Sequence, residues 1–186
     1  NNKMVFFKKF GLSDTFNFQN KDRIYDIICV GQAIQKSKNH QLMFDFIKYC
    51  DENNINIKIA YVTNKEVLKT NYKNYYESKK VTFFDNLTPN ELSNLYNQSK
   101  INLLFSHRDC VPRVIIESIL CGCYNLSTDL LSDGKYYYDG ICGELLSFDY
   151  TQVTMLSSGM ISYISNDLLF KKIIKLTKNN YDYKNI

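Results

Sequence analysis

The chain is 186 residues long, 45% hydrophobic, and carries a net charge of only +4, with its lysines scattered among acidic residues. That length buries roughly two thirds of its surface in one domain without a metal or a disulfide, and the weak, dispersed charge excludes the basic stripe that tracks a nucleic-acid backbone. No run of about eighteen apolar residues marks a transmembrane segment, and Asn1-Asn2-Lys3 offers neither an initiator methionine nor a signal-peptide core, so the chain reads as soluble and as cut from something longer.

Residues 1–20 read as a lead-in: Val5-Phe6-Phe7 has the composition of a strand, and Phe10-Gly11-Leu12-Ser13 through Phe16 that of a connecting segment with a glycine turn. Short runs rich in Ile, Val, Phe and Tyr then predict strands at Ile24 to Val30, Ile55 to Val62, Lys80 to Phe84, Ile101 to Phe105 and Tyr124 to Ser127. They are apolar on both faces, as strands covered by helices on both sides are. Between the first two, Leu42, Met43, Phe46, Ile47 and Cys50 recur at helical spacing over Asn39 to Glu52, with Ser37 available as a cap. Thr88-Pro89-Asn90-Glu91 has the form of a capping box, starting a helix that runs to about Gln98. Pro112 to Cys121 is the next helix, stopped by Gly122. Two more are expected at Val153 to Ile164 and Asp167 to Lys178, before a polar, frayed tail. The alternation of strand and helix predicts an α/β fold, a Rossmann-like doubly wound parallel sheet over residues 21–150 with helices on both faces and C-terminal helices over 151–186 packed on the same domain. Ligands of such sheets bind at the carboxyl ends of the strands.

The six cysteines, Cys29, Cys50, Cys110, Cys121, Cys123 and Cys142, sit mostly in apolar runs, where a free thiol behaves as a small buried hydrophobe. That points to a reducing, cytoplasmic compartment. His107, Cys110, Cys121 and Cys123 are the one cluster resembling a metal site, but Cys-x-Cys is not a usual structural zinc spacing, and packing competes with ligation for the same residues.

The most informative stretch is Ser106-His107-Arg108-Asp109-Cys110-Val111-Pro112 followed by the helix to Gly122, because Asp109 and Glu117 frame a helix start. One carboxylate lies in the turn before the helix and the other more than one turn inside it, since a helix rises about 1.5 Å per residue. A ligand lying across the helix start touches both. Taken alone, each residue also has a plain structural reading. Glu117 is placed to pair with Arg113 one turn earlier, Asp109 to cap or form a turn, Lys38 to sit in solvent, and His107 to be a loop residue as readily as a general base.

These residues resemble the C-terminal, donor-binding domain of GT-B glycosyltransferases of the large retaining family 4 group. Its best signature, Ser-x-x-Glu-Gly-x-Pro-x-x-x-x-Glu-Ala-x-x-x-Gly, is similar to Ser106 through Gly122. A first strand ending Val-Gly-Arg before a Lys-Gly or Lys-Asn helix start resembles Val30-Gly31-Gln32 and Lys38-Asn39. The Asn-rich turn with Glu-Leu and Tyr resembles Asn86-Leu87-Thr88-Pro89-Asn90-Glu91-Leu92 with Tyr96. The match runs in order from about residue 8 to Gly143-Glu144-Leu145-Leu146.

The resemblance implies a nucleotide-diphosphate sugar as substrate, UDP-, GDP- or ADP-linked, with no cofactor and no essential metal, and a missing N-terminal acceptor-binding domain as partner. It implies that backbone amides of Cys110, Val111 and Arg113 receive the phosphates at the helix start. Lys38 and Gln32, beside Gly31, meet the diphosphate; Lys38 stabilises it as a leaving group, where charge grows in the transition state. Glu117 holds the ribose hydroxyls, Asp109 meets the transferred sugar, and Asn86 and Leu87 face the base. Three departures bear on activity. Asp109 stands where the family has Glu, shortening the reach by about 1.5 Å. Cys110 replaces a glycine, which tolerates positive φ as other residues do not. Gln32 replaces an arginine, removing one of two cations but keeping a hydrogen-bond donor. Two other readings stay open, a non-catalytic nucleotide-sugar-binding or assembly module and a Rossmann-like interaction domain without nucleotide.

Overall fold

The computed structural model describes residues 14–107, 113–129, 138–147, 153–155, 161–163 and 166–184. Its elements in chain order are β1 Tyr25–Val30, a 3-10 turn Lys36–Lys38, α1 His40–Glu52, β2 Ile59–Val62, α2 Lys65–Asn71, β3 Val81–Phe84, α3 Pro89–Asn97, β4 Ser99–Leu104, α4 Arg113–Leu120, β5 Tyr124–Thr128, β6 Gly143–Leu146, β7 Val153–Met155, β8 Ile161–Tyr163 and α5 Asp167–Thr177.

Strands without a polar face need cover on both sides, and six of them form one sheet in the order β3-β2-β1-β4-β5-β6 with every pair parallel. The order reverses between β1 and β4. Alternate side chains feed opposite layers. Ile27, Ile59, Ile101 and Leu103 join α1 and α5 in one core, while Ile28 and Ala60 join Tyr96 and Leu95 of α3 and Cys121 and Cys123 in the other. Phe170 of α5 meets Phe46 of α1 edge-on, ring centroids 5.4 Å apart; burying one such ring is worth about 2–3 kcal/mol. These contacts are how α5 docks on the sheet domain.

α4 is held by a buried polar lock. Asn102 of β4 donates through Nδ2 to Asn125 Oδ1 of β5 at 2.7 Å and to Ser118 Oγ of α4 at 3.0 Å, and Ser118 Oγ lies 2.7 Å from the same Asn125 oxygen. Because unpaired polar groups are costly to bury, such a network specifies one docking position for the helix.

Several expectations meet the structure directly. α3 starts with the capping box: Thr88 N donates to Glu91 Oε2 at 2.8 Å, Glu91 N donates to Thr88 Oγ1 at 3.4 Å, and Pro89 is the first helical residue. The cap of α1 is Asn39, in the left-handed region at φ 53°, and not Ser37. α2 and β6 were absent from the sequence expectation; α2 is announced only by Asn64, whose Oδ1 accepts from Val67 N at 2.8 Å. The helix expected over 153–164 is corrected, since Val153 pairs with Tyr163 and Met155 with Ile161 in an antiparallel β7–β8 pair. Apolar and β-branched runs flanking Ser157-Ser158-Gly159 suit strands better than one helix. The tail is likewise anchored where described: Tyr181 stacks on Tyr124 with centroids 4.4 Å apart and donates its hydroxyl to Leu176 O at 2.8 Å. The lead-in runs along α3, with Ser93 Oγ donating to Thr15 O and Asn97 Nδ2 to Asn17 O. The expected strand at Val5-Phe6-Phe7 lies outside the described residues.

Arg23 joins these ends. Its guanidinium donates to the carbonyls of Tyr96 and Ser99 at 2.8 Å and of Cys121 at 3.0 Å, and lies 4.5 Å from the centre of the Tyr183 ring. Gly122 closes α4 beside it at φ 78°, and a methyl group there would come 2.4 Å from Tyr183 O. Gly122→Ala is therefore expected to destabilise the fold by about 2 kcal/mol or more, through left-handed strain plus the displaced tail, as read by urea denaturation. The thiols are the second checkable feature of the interior. Cys121 Sγ lies 3.5 Å from Ser93 Oγ and Cys123 Sγ donates to Tyr96 O at 3.0 Å, both within the layer beside α3. Burial pushes the thiols of Cys29 and Cys50 up to about 12 and that of Cys121 to about 11, and raises Cys123 too. Since the thiolate is the nucleophile, mass spectrometry after iodoacetamide at pH 8 should find these four unmodified in the native chain and alkylated in denaturant.

Candidate functional site

The carboxyl ends of β1, β2 and β3 and the start of α4 open onto one cavity of about 780 Å³, within the range of small-molecule sites. Its wall carries Val30 to Gln35 and Lys38 after β1, Val62 to Asn64 and Val67 around the end of β2, Asp85 to Leu87 after β3, and Arg113 with Val114 of α4. Five residues singled out from sequence, Gly31, Gln32, Lys38, Asn86 and Leu87, are thus brought together although 56 positions separate the first from the last. Asp109, Cys110 and Val111 lie outside the described residues.

Glu117 is not on that wall. It sits one turn into α4, 7% exposed, with Oε1 3.7 Å from the guanidinium of Arg113. Burial raises its carboxyl above the ordinary value and Arg113 partly counters that. The ion pair is real, but its acid is buried and its base is 63% exposed, so the pairing contributes little by itself. Sequence reasoning named Arg113 for its amide; the fold also puts its side chain on the cavity wall.

The loop after β1 is built for close approach. A methyl group at Gly31 would come within 3.3 Å of both His40 Cε1 and Lys38 Cγ. Gln32 O accepts from His40 Nε2 at 2.9 Å and from Gln35 N at 3.0 Å. His40 Nδ1 meets the hydroxyl of Tyr61, a fully buried residue of β2. A carbonyl only accepts, so Nε2 carries the proton and Nδ1 accepts from Tyr61. Burial lowers the imidazole from 6.5 to about 4, outweighing the bond to Gln32 O, which acts the other way. On the far rim, Asn64 Nδ2 donates to Asp85 Oδ2 at 2.6 Å and Asn86 N donates to Asp85 Oδ1 at 2.9 Å, holding Asn86 at φ 53°.

Lys38 and Arg113 place positive charge on one part of the wall, Asp85 places negative charge on another, and Val30, Ile34, Val62, Val67 and Leu87 supply apolar surface. The arrangement suits a ligand that is anionic at one end and flat and partly apolar at the other. Thr63, Asn64 and Asp85 escaped the sequence reading. Their signal was position alone, directly after strands whose carboxyl ends face the ligand side. Among the described residues no cluster of His, Cys, Asp and Glu is arranged to hold a metal ion, and no helix is long and apolar enough to cross a membrane.

Residues 13–182 match the profile of the family described as Glycosyl transferases group 1. Solved structures share the fold. TarM of S. aureus superposes with a TM-score of 0.68 at 12% identity over 94% of this chain and 32% of that one. The C-terminal domain of LpcC, a glycosyl transferase group 1 family protein from Francisella tularensis, superposes at 0.60 with 15% identity over 92% of this chain and 96% of that one. Anabaena HepE, solved in complex with UDP-glucose, superposes at 0.58 with 13% identity over 94% and 42%. The chain therefore spans about a third of TarM and under half of HepE. No curated protein sequence matches it significantly.

The His40 geometry has a consequence for stability. Its folded value is depressed, so below 6.5 the unfolded chain takes up a proton that the folded chain refuses. Stability is then lost as pH falls from 6.5 to 4, by about 1.4 kcal/mol per pH unit and about 3 kcal/mol in all. Glu117 has the opposite sign: its folded value is raised, so its contribution is present below 4.5 and lost as pH rises. Urea denaturation across pH 4 to 7 should show the acid-side loss in the wild type and its disappearance in His40→Gln, the difference between the two cancelling Glu117.

Proposed function

Because the chain belongs to the group 1 glycosyl transferases, we propose that it is the donor-binding half of a retaining enzyme that passes a hexosyl unit from a nucleotide-diphosphate sugar to an acceptor hydroxyl. The observation that carries this reading is the cavity at the strand ends with Lys38 and Arg113 on its wall. An anionic diphosphate placed there faces two cations and the Gly31–Lys38 loop. Lys38 then stabilises the charge that builds on the diphosphate as the bond to the sugar breaks, an interaction worth more in the transition state than in the ground state. Gln32 hydrogen-bonds the same group, and the backbone of Asn86 and Leu87 faces the base. Glu117 takes the ribose hydroxyls, Asp109 the transferred sugar, and the amides of Cys110 and Val111 the phosphates.

The short share of TarM and HepE that this chain covers supports a second domain, N-terminal to it, that binds the acceptor. Catalysis then takes place between the two halves, and the 186-residue chain binds donor without appreciable turnover. The UDP-glucose seen on HepE supports UDP as the first nucleotide to test. The buried thiols of Cys29, Cys50, Cys121, Cys123 and Cys142 support a reducing, cytoplasmic setting.

Calorimetric titration with UDP-, GDP- and ADP-sugars should show binding at millimolar or tighter for one of them. Glu117→Gln, which keeps the volume, should weaken it by about tenfold or more. Absence of binding to all three would overturn the reading, and an unchanged Glu117→Gln would remove Glu117 from the site.

A further inference from the structure

The loop from Gly31 to Lys38 carries much of the proposed donor contact, yet it lies beyond the last paired residue of β1, Val30. Backbone bonds tie its two ends, Gly31 N to Val62 O at 3.2 Å and His107 N to Ser37 O at 3.1 Å, and one buried side chain ties the turn between them to the sheet core. His40, 1% exposed, is the first residue of α1, and its ring is wedged between Tyr61 of β2 and Tyr72, with centroids 5.9 Å and 5.5 Å away. One ring nitrogen accepts from the Tyr61 hydroxyl and the other donates to Gln32 O. That carbonyl also closes the turn through Gln35 N, and Gln35 O in turn accepts from Lys38 N, both at 3.0 Å. Gly31 has no side chain at the place where one would press on both His40 and Lys38. Tyr61 hydroxyl, His40 ring, Gln32 carbonyl and Lys38 amide thus form one hydrogen-bonded series from the sheet core to the cavity wall.

We propose that His40 is the positioning residue of the diphosphate site: through Tyr61 it pins the Gln32 carbonyl, and so sets where Gln32 and Lys38 meet the phosphates. The inference rests on the donor reading given above and deepens it. His40 itself touches no ligand. Its effect falls on the phosphate-bearing part of the donor and spares the base and ribose, which lie against the other loops. An aliphatic residue at position 40 fills the same hole and loses both hydrogen bonds. Glutamine, long enough to donate to Gln32 O and accept from Tyr61, keeps them.

The test uses the 186-residue chain with UDP, GDP and ADP, and with uridine, guanosine and adenosine, titrated by NMR. For whichever pair the wild type binds, His40→Leu should weaken the nucleoside diphosphate about tenfold while leaving the nucleoside within about twofold, so that the ratio of the two affinities collapses. His40→Gln should restore the ratio to within about threefold of wild type. Tyr61→Phe, which keeps the ring stacked on Phe83 and removes only the hydroxyl, should lower it in the same direction by a smaller factor. A general loss of structure would lower both affinities together. The inference is overturned if His40→Leu leaves the ratio unchanged, if it weakens diphosphate and nucleoside equally, or if His40→Gln fails to restore what His40→Leu removes. A wild type that binds none of the three diphosphates overturns the donor reading, and the inference with it.

Discussion

The pairing of β1 with β4 is the constraint on which the site depends. β1 lies between β2 and β4 with all three parallel, and the sheet grows toward β3 on one side and β6 on the other. The chain leaving β1 must cross to one side and the chain leaving β4 to the other. Their loops diverge, and a parallel sheet that reverses its order in this way opens a crevice at its carboxyl edge. The cavity wall follows from that: the loop after β1, the ends of β2 and β3, and the start of α4 are the parts of the chain the reversal leaves facing one another.

A crevice becomes a site only if its walls are held still, and here polar groups in the walls and buried behind them do the holding. Asn102, Ser118 and Asn125 lock α4 onto β4 and β5, which sets where Arg113 points. Tyr61 and His40 do the corresponding task for the loop after β1, and Asp85 with Asn64 for the loop after β3. The first two sets lie away from solvent, where breaking a hydrogen bond leaves a costly unpaired group. The apolar layers supply most of the stability, while these few polar contacts select the geometry.

Charge on the wall and charge behind it differ in kind. Lys38 and Arg113 lie where a ligand reaches them, whereas Glu117 is withdrawn from the wall and resists ionising because of its burial. On the proposed reading a neutral diol is a suitable partner for such a group, since hydroxyls donate to a carboxylate without adding charge. Perturbed carboxyls of this kind concentrate at functional sites.

What the sequence by itself determined was whatever short-range chemistry controls. The apolar strand runs, the period of α1 and α5, the capping box at Thr88 and Glu91 and the stop at Gly122 act within a few residues of themselves, and each element forms where those signals stand. The convergence of Gly31, Gln32, Lys38, Asn86 and Leu87 was legible too, because strand–helix alternation dictates which loops share an edge. Tertiary structure alone decided the rest. Helical spacing over 153–164 was outweighed by the β7–β8 pairing, and a polar tail was anchored because Tyr181 found Tyr124 more than fifty residues away. Glu117 left the wall and His40 became its support because burial and hydrogen-bond partners belong to the assembled layers, and no local stretch of chain carries that information.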